Sequence, residues 1–192
     1  MNRFRHLKII PVLLLLVTLS GCVTMWTYLK EEDEWKRRPF EARLPAGWVK
    51  YNAPGAILIL TKDGLLLQQI QIVQHRIDTD KEFPISKKMI KEDMLVQEIA
   101  ELVVNEMALD NERMMNFKIL ENKPVEISGI DGFKLTYSYK DGDFKRIKGI
   151  YCGFIFDKKF YSVEYIAAQQ YYFDKDLRDF EWFVDNLQIV KK

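Results

Sequence analysis

Ile150-Tyr151-Cys152-Gly153-Phe154-Ile155-Phe156 is the stretch on which the fold turns. It is apolar at odd and even positions alike, so it reads as a central strand covered on both faces. Asp157-Lys158-Lys159 is a polar turn, and Phe160 to Ala168 is a second strand, so Arg146 to Ala168 form a hairpin. A strand buried on both faces needs a layer on each side. Working outward, Gly132 to Tyr139 alternates, with Phe133, Leu135, Tyr137 and Tyr139 on one face, and Asp141-Gly142 links it to the hairpin. Phe117 to Glu121 and Val125 to Ser128 flank Pro124, which argues for a sheet edge or a break.

The covering layers are legible on both sides of this strand group. Upstream, Ile90, Met94, Leu95, Ile99, Leu102 and Val103 recur at three and four residues, predicting an amphipathic helix over 87–108 with Ser86 as its N-cap. Downstream, Leu177, Phe180, Val184 and Leu187 make one stripe of a closing helix, with Asp174 at its N-cap and a short extended piece over 187–190. Nearer the start, Phe40 to Leu44 and Trp48 to Tyr51 read as strands about the Pro45-Ala46-Gly47 turn. Ile57 to Thr61 and Leu65 to Ile77 are two more, joined by a hairpin at Lys62-Asp63-Gly64. The order predicts an α+β fold, a mostly antiparallel sheet with helices packed on its faces. Phe40-x-x-x-Leu44-Pro45-x-Gly47-Trp48, the long hairpin strands and Tyr161-x-Val163-x-Tyr165 resemble the photosystem extrinsic protein PsbP and its bacterial relatives. The resemblance implies a PsbP-like α/β/α sandwich over about 150 residues, in a family of accessory and binding proteins more often than enzymes.

The first residues carry a different message. Arg3, Arg5 and Lys8 precede Ile9 to Leu19, an apolar run too short to span a bilayer, which needs about 20 residues. A basic start, a short apolar run and the small residues Ser20 and Gly21 make a secretory signal. Leu19-Ser20-Gly21-Cys22 resembles the lipobox of bacterial lipoproteins. That resemblance implies removal of residues 1–21 and acylation of Cys22, with palmitate-type chains holding the mature protein to the membrane. Two or more chains anchor stably, at about 0.8 kcal/mol per buried methylene. Val23 after the cysteine, rather than an aspartate, implies the outer membrane over the inner one if the cell is Gram-negative. Residues 22–39 are then the lipidated N-terminus and tether, and 40–192 a single domain. Within the tether, Glu32–Lys36, Asp33–Arg37 and Glu34–Arg38 are acid-to-base pairs at i,i+4 and predict a short juxtamembrane helix or a solvated linker. Trp26 and Tyr28 suit the headgroup level.

Composition narrows the function. Of 192 residues, 48% are hydrophobic and 30% charged, which supports a packed core. The 29 basic and 28 acidic residues give no electrostatic case for nucleic-acid binding. Without residues 1–21 the balance is 26 basic to 28 acidic. Two cysteines and two histidines leave no multi-cysteine zinc site and little for a histidine centre. No P-loop, dinucleotide-binding glycine pattern or zinc-protease motif occurs.

The individual candidates read mostly as structure. Cys152 reads as a small buried hydrophobe, sharing a face with Ile150, Phe154 and Phe156. His75 reads as a surface or rim residue, and Gln68, Gln69, Gln71 and Gln74 as a polar sheet face. Asp141-Gly142-Asp143 is a turn before it is a calcium loop. Of the aromatic series Tyr151, Tyr161, Tyr165, Tyr171, Tyr172, Phe160, Phe173 and Trp182, most is expected in the core and some is available to a partner. The reading is of a membrane-anchored cell-envelope lipoprotein with Cys22 as its lipid site. It has no catalytic residue, metal or cofactor, and its domain binds another envelope protein. The alternative is a carrier of a small or lipophilic ligand in a cleft between sheet and helix, which needs an apolar pocket with a few convergent polar groups.

Overall fold

The computed structural model describes residues 25–77 and 82–190. Its elements in chain order are β1 (Trp26–Tyr28), β2 (Asp33–Arg37), β3 (Phe40–Leu44), β4 (Val49–Tyr51), β5 (Leu58–Thr61), β6 (Gln68–Arg76), α1 (Val96–Leu109), β7 (Met115–Ile127), β8 (Ile130–Lys140), β9 (Arg146–Phe156), β10 (Lys159–Ala168), α2 (Tyr172–Asp185) and β11 (Gln188–Ile189). Eight strands make one antiparallel sheet in the order β1-β4-β5-β6-β10-β9-β8-β7, and β11-β3-β2 make a small second sheet. This is the expected α+β sandwich.

The chemistry of each strand sets its place. β9 and β10, buried on both faces, lie within the sheet, and Pro124-bearing β7 lies at the edge, where strand prolines are tolerated. Asp157 and Lys158 both have positive φ, the two-residue turn whose twist matches its flanking strands. One face of the large sheet packs against α2 and the small sheet through Ile150, Cys152, Phe154, Tyr161, Tyr165, Phe40, Trp48, Phe180 and Phe183. The other packs against α1 through Leu135, Tyr137, Tyr151, Phe160, Ile99 and Val103. On this second face β9 presents Gly149 and Gly153. A Cβ on Gly149 would fall 2.3 Å from Tyr137 Cζ, and one on Gly153 2.4 Å from Phe133 Cζ. The rings of β8 lie across the strand beside them, and only glycine leaves room.

Several expectations are corrected. The stretch 31–38 is not a helix: Asp33–Arg37 is β2, paired with β3. Each i,i+4 pair stabilises a helix by only about 0.2–0.5 kcal/mol. The strand instead buries Trp35 with its charged neighbours outward, and the same charges pair across strands, Arg43 with Glu32 and Lys36 with Glu41. From Trp26 on, the expected tether is part of the folded body, because β1 pairs with β4. The first helix begins at Val96 rather than 87. Leu95 occupies the N-cap position and its N–H is taken by Glu98, whereas the N–H groups of Ile85 and Ser86 go to the Glu106 carboxylate. Ile90 still reaches the core, from a loop. In α2 the N-cap position is Tyr171, with Asp174 in the first turn, where its charge favours the positive helix end. The link at Lys62-Asp63-Gly64 is a wider loop reaching Gln68, whose side-chain oxygen accepts the N–H groups of Lys62 and Asp63. Cys22 and the signal segment lie outside the described residues.

Candidate functional site

The alternation of β6 and β10 decides what faces α1. Even positions of β10 put Phe160, Ser162 and Glu164 on that face, opposite His75, Val73 and Gln71 of β6 in register. β9 adds Tyr151 and β8 adds Tyr139. Helix α1 covers the sheet through Val103 and Met107, and Phe83 and Pro84 close one side. Between them lies a cleft of about 450 Å³, walled by aromatic, methionine and valine side chains. Its polar groups are Gln71, His75, Glu106, Asp110, Arg113, Tyr139, Tyr151 and Glu164.

Glu164 is 8% exposed. Its carboxylate accepts Ser162 Oγ at 2.6 Å and Gln71 Nε2 at 2.8 Å, both neutral donors. Burial pushes the Glu164 carboxyl above its ordinary range, against those two hydrogen bonds. Burial likewise raises Tyr151, with the field of Glu164 adding to it, and Tyr139, pushed up to about 12. The other carboxylates of the cleft are engaged. Glu106 holds the Ile85 and Ser86 N–H groups, and Asp110 holds the Arg113 N–H and guanidinium. Across the cleft, His75 Nε2 is buried with no partner among the described residues. The ring lies 5.5 Å from Phe160 and 6.4 Å from Phe83, and burial holds it below its ordinary value.

The opposite face carries a polar cluster of another kind. Lys62 bridges Asp176 at 2.8 Å and Asp179 at 3.2 Å, and Asp179 also accepts Trp48 Nε1 at 2.8 Å. Gln68 donates to Asp176, and Lys175 pairs with Asp63. Burial works against the Lys62 charge, but the two aspartates outweigh it and raise the ammonium above its ordinary value. This network fastens the first turns of α2 to the β5–β6 loop.

One end of the large sheet carries exposed apolar residues. Leu66 is 83% exposed, Phe144 71% and Tyr171 67%, on the loops β5–β6, β8–β9 and β10–α2. The loops are tied together: Ala168 N–H donates to Leu67 O, Gln169 N–H to Arg146 O, and Lys145 Nζ to Leu66 O. Phe144 and Tyr171 have φ of 61° and 77°, a left-handed conformation that is strained for a bulky aromatic. Strand β1 runs from Trp26 toward this end, since Tyr28 pairs with Val49 and Val49 with Thr61, where the β5–β6 loop begins. Its N-terminal end is thus directed away from the exposed loops.

The structure places the other candidates as follows. Cys152 is buried against the α2 face, and burial pushes its thiol up to about 12. Asp141 folds its own turn, its carboxylate accepting the N–H groups of Asp143 and Lys145. His75 is half-buried at the rim of the cleft, and its Nε2 faces inward beneath α1 and Phe83. The glutamines are divided between two faces: Gln68 joins the α2 network and Gln71 enters the cleft. Glu164 was missed. Its signal lay in the two unnamed positions of Tyr161-x-Val163-x-Tyr165, where a serine and a glutamate share one face of a central strand.

No protein-family model matches the sequence, and no curated protein is significantly similar to it. Solved structures are similar in fold. Cyanobacterial PsbP (CyanoP) from Synechocystis aligns with a TM-score of 0.57 at 11% identity, over 90% of this chain and 99% of that one. The Saccharomyces cerevisiae Ran-binding protein Mog1p aligns at 0.53 and 8% identity, over 84% of this chain and 97% of that one. A Bacteroides thetaiotaomicron protein aligns at 0.52 and 9% identity, over 85% of this chain and 50% of that one. The architecture is PsbP-like; at these identities the likeness concerns the fold alone.

Proposed function

We propose that the chain is an exported envelope lipoprotein, acylated at Cys22, whose domain is a non-enzymatic binding module for another envelope protein. The observation that carries the protein-binding reading is the cluster of Leu66, Phe144 and Tyr171 on three linked loops, with the two aromatics held in left-handed backbone. Exposed aromatics supply large contact area at low entropic cost, and strain of this kind gathers where a surface has a task. Mog1p, with the same fold, is a Ran-binding protein, so the scaffold accommodates a macromolecular partner. The anchor reading rests on the signal segment and lipobox. Cys22 precedes Met25 by three residues, at most about 10 Å of chain. The lipid then holds the body close to the membrane, and the exposed loops, toward which β1 runs, face outward to a partner.

Two experiments test this. Cys22→Ser abolishes acyl labelling and leaves uncleaved precursor; persistent labelling refutes the lipid site. A photo-crosslinking residue at position 144 in intact cells gives one discrete adduct that disappears with Leu66→Ser plus Tyr171→Ser. Absence of any adduct above that from position 120, on the β7 edge, refutes the loop surface.

A further inference from the structure

We propose that the cleft beneath α1 binds an organic cation: an apolar or aromatic body bearing an amine that docks on Glu164. The argument is one of charge. Glu164 is a buried carboxylate whose two partners, Ser162 Oγ and Gln71 Nε2, are both neutral. Burial without a countercharge disfavours the ionised carboxyl, and protein interiors pair such groups. The guanidinium lining the cleft, Arg113, is held by Asp110 at 2.6 Å. The three carboxylates against one guanidinium repel an anion, so fatty acids and phosphates fit poorly. A carboxylate accepts more than two hydrogen bonds, and an ammonium supplies both the donor and the missing charge.

The walls complete the specificity. Tyr139 and Tyr151 line the same cleft as the acid, aromatic walls of the kind that favour a cation. Met107 and Val103 of α1 give adaptable apolar cover. Gln71 and His75 are four residues apart on β6, about 13 Å at ~3.3 Å per residue. A guest reaching from Glu164 along the strand brings a polar atom to His75 Nε2, which has no partner among the described residues. This site is separate from the loop end and does not depend on the partner reading.

The test uses the full mature protein in phosphatidylcholine nanodiscs, with methyl-labelled methionines followed by NMR. Three probes share one body and differ in charge: tryptamine, indole-3-ethanol and indole-3-propionate. Tryptamine is expected to shift the methyls of Met107 and Met114, and to bind at least tenfold more tightly than the alcohol, with no saturable effect of the propionate. Glu164→Gln should remove the tenfold preference for the amine over the alcohol. Met107→Trp, which fills the cleft from a partly exposed helix position, should abolish both. Propionate binding as tight as that of the amine, retention of the preference in Glu164→Gln, or tryptamine shifts confined to methionines outside the cleft would each overturn the proposal.

Discussion

The two faces of the large sheet bury polar groups in opposite ways. Beneath α2, every charge of the cluster has a partner of opposite sign: Lys62 sits between Asp176 and Asp179, and Lys175 meets Asp63. Beneath α1, among the described residues, Glu164 has only neutral donors, His75 Nε2 has no partner, and a cleft of about 450 Å³ stands beside them. The same strands build both faces, so the difference lies in which side chains their alternation sends to each. A closed network contributes stability and uniqueness; an incomplete one costs stability and leaves chemistry available to a guest.

The comparison is broken most forcefully at Asp176. Asp176→Ala removes the buried partner shared by Lys62 and Gln68, leaving Lys62 with Asp179 alone, and should lower the unfolding free energy by about 1–3 kcal/mol, read from urea denaturation; Lys62 is partly exposed, which keeps the loss below that of a fully buried pair. The matching change on the other face, Glu164→Gln at neutral pH, should cost nothing or stabilise. Next in size is Gly149→Ala, which drives a methyl against the Tyr137 ring and should cost about 1–3 kcal/mol in the same assay. That loss would show that the aromatic layer of the α1 face is closely packed, so its openness is confined to the cleft.

How far these faces were readable differs too. The apolar run Ile150–Phe156, the edge proline and the helical stripes identify the central strand, the edge and the layers, because they depend on burial, which sequence periodicity records. The charged run Glu31–Arg38 misled, since i,i+4 pairs weigh little against burial of Trp35 in a strand. The cleft was hidden for a further reason. Ser162 and Glu164 are polar residues in an otherwise apolar strand, and whether they meet solvent or a roof depends on α1, more than fifty residues away. The inward turn of His75 Nε2 was hidden on the same ground. The exposed loop residues were equally illegible, because an apolar residue in a turn does not declare its exposure.

Two smaller effects sharpen the contrast. Phe144→Gly relieves a left-handed aromatic at the loop end and should raise stability by up to about 1 kcal/mol by thermal melting, while abolishing any crosslink made through that loop. The smallest effect is a pH dependence. The Glu164 carboxyl lies above its ordinary value of 4.5 in the folded chain. Its contribution to stability is fully present below 4.5 and is lost as the pH rises through the raised value. Glu164→Gln has no proton to lose there, so its stability relative to the unaltered chain should increase as the pH rises above 4.5 and level off above the raised value. His75 works in the other direction: held below 6.5, it contributes stability above that value that is lost as the pH falls through its depressed one. His75→Phe should flatten the acid limb of the stability profile.

Amide hydrogen exchange of the full mature chain, with and without tryptamine, tests the division between the faces most directly. The account predicts that the amine slows exchange in α1 and in the Phe83–Lys88 loop beneath it, and leaves α2 and the Lys62–Gln68 loop unchanged. Protection spread evenly over both helices, or confined to α2, would contradict it.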